Sequence, residues 1–161
     1  MSETPSNAPA RKKSRLKQLA EVTVDSLMLS DSAQESNGKL YILGGGWDTI
    51  FVDGPDSPIP SISITFRIVI PWNQTNQDIA IELQLVDSDG LPMLGDPPVL
   101  HSKVGRPPHA ENGIDQVLPV AMTFQNLVFQ RPGQYFFRLS EAGKEVNRYR
   151  FNVIFRSPLS T

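Results

Sequence analysis

Between Ser61 and Ile70 the chain places Ile62, Ile64, Phe66, Ile68 and Ile70 on one parity and Ser61, Ser63, Thr65 and Arg67 on the other. An extended backbone turns that period of two into one apolar face and one polar face, whereas a helix would scatter the same residues around its axis. The segment therefore reads as a strand with one buried side. The alternation returns in Ile79, Ile81, Leu83 and Leu85; in Leu118, Val120, Met122 and Phe124; in Tyr135, Phe137 and Leu139; and in Tyr149, Phe151, Val153 and Phe155. Val22 to Leu29 and Leu40 to Leu43 are also β-prone, the first with a change of phase at Asp25-Ser26 that a bulge or a sheet-switching bend would produce, and Trp47 to Phe51 supplies one more candidate strand.

Turn chemistry separates these runs. Asn37-Gly38, Asp53-Gly54, Asp89-Gly90, Pro132-Gly133 and Gly143-Lys144 stand where reversals are needed, and Pro58 and Pro60 open the strongest strand. Seven or eight strands with no helical period between them predict an all-β, two-sheet antiparallel sandwich of the Greek-key, immunoglobulin-like kind. The expected organisation is a flexible basic tail over residues 1–20, a sandwich domain over 21–157 and a short C-terminal tail over 158–161. Of the 161 residues, the first twenty hold Arg11, Lys12, Lys13, Arg15 and Lys17 against Glu3, so the formal charge of -2 divides into +4 on the tail and -6 on the body. An acidic body argues against nucleic-acid binding by the folded part. The tail could attract an anionic surface, but it lacks interleaved aromatic residues on which bases would stack.

With no cysteine in the chain, disulfides, thiolate nucleophiles and zinc-cysteine sites are excluded. No apolar stretch after the basic run has the length of a signal-peptide core or a bilayer span, so the expected compartment is the cytoplasm. Asn73-Gln74-Thr75 fits a glycosylation acceptor, but reads more simply as a polar turn.

The motifs that carry chemistry elsewhere have structural readings here. Gly44-Gly45-Gly46-Trp47 lacks both the spaced glycines and the following Lys of a phosphate loop, and reads as positive-φ backbone at a bulge or crossing. Asp87-Ser88-Asp89-Gly90 opens like a calcium loop, yet Leu91, Pro92 and Pro98 occupy positions where ligands should follow, so an Asp-Gly turn is expected. Calcium held between loops by Asp53, Asp56, Asp87, Asp89 and Asp96 is the alternative. Pro132-Gly133-Gln134-Tyr135 suits a corner in which the phenol bonds back to main chain. Arg148, Arg150 and Asn152 read as a solvated polar face of the last strand.

One connection is anomalous. Ser88 to Asp115 contains Pro92, Pro97, Pro98, Pro107, Pro108 and Gly113, and connections of that length inside compact domains are usually functional or disordered. It also holds both histidines, His101 and His109, whose spacing of eight on an irregular segment sets no catalytic or metal geometry.

Val24-Asp25-Ser26-Leu27-Met28-Leu29, the string Gly38-Lys39-Leu40-Tyr41-Ile42-Leu43-Gly44-Gly45-Gly46-Trp47, Pro71-Trp72-Asn73, Val104-Gly105-Arg106-Pro107-Pro108 and Pro132-Gly133-Gln134-Tyr135 together resemble an uncharacterised bacterial family of small β proteins, a domain of unknown function. The likeness spans about residues 22 to 155. It implies a bacterial cytoplasmic β-sandwich and supplies no activity, cofactor or catalytic residue.

The expected function is a non-enzymatic interaction module. Its unidentified protein partner would meet the long connection and the tryptophan-bearing ends, through Trp47, Trp72, His101, Arg106 and His109. No catalytic, cofactor or metal residue is assigned. A small-ligand or calcium-binding sandwich is the alternative, and a hydrolase built on His101 and His109 ranks last.

Overall fold

The computed structural model describes residues 20–156, so the basic run from Arg11 to Lys17 and residues 157–161 lie outside the described part. Nine strands follow in order: β1 Thr23–Ser36, β2 Lys39–Gly45, β3 Thr49–Val52, β4 Pro58–Ile70, β5 Asp78–Asp87, β6 Val99–Lys103, β7 Gln116–Val128, β8 Gly133–Glu141 and β9 Lys144–Phe155. They form a four-stranded sheet in the order β2-β1-β4-β7 and a five-stranded sheet in the order β3-β9-β8-β5-β6. The two-sheet sandwich is the architecture that the alternating pattern requires, since each apolar face needs another sheet to cover it.

The core assembles from the parities read in sequence. Ile62, Ile64, Phe66, Ile68 and Ile70 of β4 are fully buried and share the core with Leu83 and Leu85 of β5, Phe137 and Leu139 of β8 and Phe151 of β9. Phe129, Tyr135, Phe137 and Phe151 make an aromatic cluster with ring centroids 4.7–6.0 Å apart. Tyr135 closes the expected corner, its hydroxyl donating to the Arg131 carbonyl at 2.7 Å. The phase change in β1 is a bulge: the β1–β4 register shifts between Asp25 and Met28, and Ser26 takes φ 53°.

Three details differ from the sequence reading. The ninth strand is β6, which lies inside the long connection and pairs antiparallel with β5 from Asp78↔Lys103 to Glu82↔Val99. Its run Val99-Leu100-His101-Ser102-Lys103 is short and flanked by prolines, so its period was hidden. The sheets are also not wholly antiparallel, because β3 joins β9 in parallel. Finally, the polar parity of β4 does not all face water: Ser63 and Thr65 are fully buried, with Ser63 Oγ 2.8 Å from Thr123 Oγ1 and Thr65 Oγ1 donating to the Met28 carbonyl. Short hydroxyl side chains on a central strand are covered by the larger residues beside them, and hydrogen bonds then take the place of water. Arg67, farther along, stays exposed and grips Asp25 through two 2.8 Å bonds, which hold the Asp25 carboxyl below its usual range.

Removing the Tyr135 hydroxyl should cost about 1 kcal/mol, because a neutral hydrogen bond is lost without creating a cavity. Tyr135→Phe is expected to lower the urea midpoint with an unchanged m-value. Burial raises the pKa of both Tyr135 and Tyr149 above the ordinary value. Their contribution to stability is therefore whole below the ordinary tyrosine range and is lost as pH rises through the raised folded values. In a Tyr41→Phe background, absorbance at 295 nm should show both remaining phenols ionising later in the folded chain than in urea.

Candidate interaction surfaces

Two of the expected contact residues meet at the end of β4. Pro71 stops the ladder, and Trp72–Gln74 form one 3-10 turn in which the Gln74 amide donates to the Pro71 carbonyl at 2.8 Å and Thr75 Oγ1 donates to the Trp72 carbonyl at 2.8 Å. That turn absorbs the Asn73-Gln74-Thr75 triplet. Arg106 reaches across from the connection after β6. Its guanidinium carbon lies 4.3 Å from the Trp72 ring centroid, Nε donates to Thr75 Oγ1 at 2.6 Å, and Nη2 donates to the Trp72 carbonyl at 3.1 Å. The Asn76 amide adds a 2.8 Å bond to the Val104 carbonyl. Stacking and hydrogen bonding thus latch the connection onto the sandwich, and one face of the indole is spent on the latch.

The other three residues do not join this cluster. Trp47 packs against the core between β2 and β3, and its carbonyl accepts a 2.8 Å bond from the Tyr149 hydroxyl. His101 is exposed on β6, opposite Ala80, and His109 is exposed farther along the connection. Among the described residues no three His, Asp or Glu side chains converge as metal ligands would. Asp87 is engaged by its own turn, Oδ1 accepting the amides of Asp89 and Leu91 at 2.9 Å each. Asp53 pairs with Arg156, and Asp56 accepts from Gln130.

On the outer face of the five-stranded sheet an open cleft of about 390 Å³ is lined by Glu82, Val99, Arg138, Ser140 and Glu145, among others. Among the described residues Arg138 Nε is buried there without a hydrogen-bond partner. Of the polar face read in β9, Arg148 is tied to Glu145 through two bonds and lies over the Phe136 ring, 5.6 Å from its centroid.

The surface that the sequence reading missed is β2. Its residues Tyr41, Ile42 and Leu43 are 58%, 39% and 72% exposed. The register explains why. β1 pairs with β4 only as far as Ser30↔Ser63, and with β2 from Ser30↔Gly45 to Ser36↔Lys39, so the β1–β2 hairpin extends beyond the part of β1 that β4 covers. The signal was present in Leu40-Tyr41-Ile42-Leu43, where consecutive apolar residues make both faces of a strand apolar. The glycines beside it are structural: Gly44 and Gly46 have φ of 63° and 89°, the Gly46 amide donates to the Leu29 carbonyl at 2.9 Å, and a β-carbon on Gly44 would overlap the Asp31 carboxylate.

The latch can be broken by Arg106→Ala. The expected cost is about 1–2 kcal/mol from the lost stacking and hydrogen bonds, with faster proteolytic cleavage after β6. Cleavage at the wild-type rate would show that the connection is held by other contacts.

A search of curated proteins found no match. Among solved structures, the chain is similar to an alkylpurine DNA glycosylase of Pseudomonas fluorescens bound to DNA containing an abasic-site analogue, at 13% identity and TM-score 0.44, over 84% of this chain and 31% of that one. The chain thus spans about a third of that protein's length. It is also similar to an immunoglobulin-like protein of Pseudomonas aeruginosa, at 13% identity and TM-score 0.41, over 84% of this chain and 98% of that one. Among the described residues no helix is long and apolar enough to cross a membrane. A scan against protein families matches residues 25–154, and on that match the chain belongs to the family of unknown function DUF6941.

Proposed function

We propose that this protein is a non-enzymatic interaction module that engages its partner along β2, in the bacterial cytoplasm. The observation that carries the reading is the edge position of β2 together with three consecutive exposed apolar side chains. An edge strand presents alternate unpaired amides and carbonyls, and soluble proteins normally guard such edges with charge, proline or a covering segment. Between Leu40 and Gly46 there is neither a charged residue nor a proline. A partner strand laid along β2 would gain main-chain hydrogen bonds and cover Tyr41, Ile42 and Leu43 on both faces. The long connection recedes as a recognition element, since β6 and the Arg106–Trp72 latch tie it to the body. Excising residues 95–112 would remove a strand together with the core contacts of Leu100 and Val104, and is not a neutral deletion.

Leu43→Lys and Ile42→Lys test this reading in co-purification from the native host, beside Val117→Lys as a control on exposed β7. The β2 variants should lose at least about tenfold of the captured partner, with melting temperatures near the wild type because exposed substitutions usually shift stability by no more than about 0.5 kcal/mol. Undiminished capture by both β2 variants would remove the edge from consideration.

A small-ligand reading has one observation in its favour, the Arg138 Nε beside the outer cleft, which has no hydrogen-bond partner among the described residues. Small carboxylates and phosphates should then raise the melting temperature of the wild type and leave Arg138→Leu unmoved. Equal response of both proteins would dismiss the cleft.

A further inference from the structure

We propose that the cleft on the outer face of the five-stranded sheet takes a small zwitterion, with Arg138 receiving its carboxylate and Glu82 its ammonium group. The proposal rests on the small-ligand reading of that cleft, is independent of β2, and adds the chemical class of the ligand.

The strand register makes the cleft. Glu82 of β5 and Glu145 of β9 stand on either side of Ser140 of β8, and Arg138, two residues back along β8, stands between Gln84 and Arg148. All six share the outer face, because Leu83 and Leu139, which alternate with them, belong to the core. Ala80, Ser140, Ala142 and Gly143 also line the cleft and add little bulk, so the longer side chains of Glu82, Val99 and Arg138 rise around a hollow. Its volume of about 390 Å³ is that of a small-ligand site.

The charges around this hollow sort into one pair and two remainders. Arg148 and Glu145 are occupied with each other, Nε and Nη2 of the arginine donating to the two carboxylate oxygens at 2.6 and 2.8 Å. Arg138 and Glu82 are left. They line the same cleft, yet among the described residues neither is in an ion pair. Their positions are diagonal across the β5–β8 ladder, a relation that sets backbone sites roughly 7–8 Å apart.

That separation selects the ligand. Arg138 Nε is withdrawn from water with no acceptor among the described residues, and such a donor on a charged group is costly. A carboxylate matches the guanidinium fork and relieves that cost. An anion alone, however, meets the Glu82 carboxylate in the same hollow. An ammonium group at the other end of the ligand turns this repulsion into attraction, so the cleft favours a molecule of both signs over an anion or a cation by itself.

The test is a titration of the full chain, read by backbone amide NMR shifts, with glycine, β-alanine, γ-aminobutyrate and δ-aminovalerate. These differ only in the distance between their charges. Butyrate, butylamine and inorganic phosphate are the single-sign probes. Ligands of this size should bind in about the millimolar range. At least one amino acid of the series should bind about tenfold or more tightly than butyrate or butylamine, the gain expected of a second charge-assisted contact. Glu82→Gln should reduce that amino acid to the affinity of butyrate without weakening butyrate itself, and Arg138→Leu should remove the gain without weakening butylamine. A folding defect in either variant would not produce this reciprocal pattern. A series in which no member exceeds butyrate overturns the zwitterion. If butyrate or phosphate then still binds the wild type and not Arg138→Leu, the cleft remains a site for simple anions. Shifts from none of the compounds overturn both the zwitterion and the cleft as a ligand site.

Discussion

Burial of the β4 isoleucine face against the opposing sheet is the constraint from which the rest of this molecule follows. Five side chains of one strand, Ile62 to Ile70, are withdrawn from water, and at roughly 1.5–3 kcal/mol for each fully buried large aliphatic residue they form one of the largest apolar contributions a single strand makes here. β4 is central in its sheet, with β1 on one flank and β7 on the other. Its inner face selects the sandwich. Its outer face, where Ser63 and Thr65 are covered and hydrogen-bonded, keeps the neighbouring strands in register.

From that centre outward the constraint weakens, and the candidate surfaces appear where it has faded. β1 is held against β4 up to Ser30; beyond that pair, the hairpin with β2 is governed by its own ladder and by the Asn37-Gly38 turn. Asp31 against Gly44 and the positive φ of Gly44 and Gly46 shape the base of that hairpin. On the other sheet, the extension after β5 is stabilised differently: β6 adds a fifth strand and Arg106 locks the following segment over Trp72. One projecting element therefore remains apolar and open, while the other is tied down by a cation, an indole and a threonine hydroxyl.

The sandwich was legible because its evidence is repeated: five segments with the same period make a collective statement that no single substitution alters. The bulge at Asp25-Ser26, the Tyr135 corner and the structural use of the glycines were legible for a similar reason, since each depends on residues close together in the chain. The candidate surface was legible only in part. Trp72 and Arg106 were named separately, but their stacking depends on two segments some thirty residues apart meeting at one corner. Trp47 and His101 could not be sorted into inward and outward by local pattern, and β6 was too short to show a period between its prolines.

Leu40-Tyr41-Ile42-Leu43 marks the boundary between the two kinds of knowledge. From sequence alone this run is a β-prone, apolar segment, and hydrophobicity by itself assigns it to the interior. Its position at the sheet edge was decided by the register of β1, which leaves β4 after Ser30 and carries β2 beyond the cover of the core. Period and composition determine which faces are apolar, because they act through the local geometry of an extended chain. Only the tertiary structure decides which apolar faces find a cover, because that depends on where distant strands end.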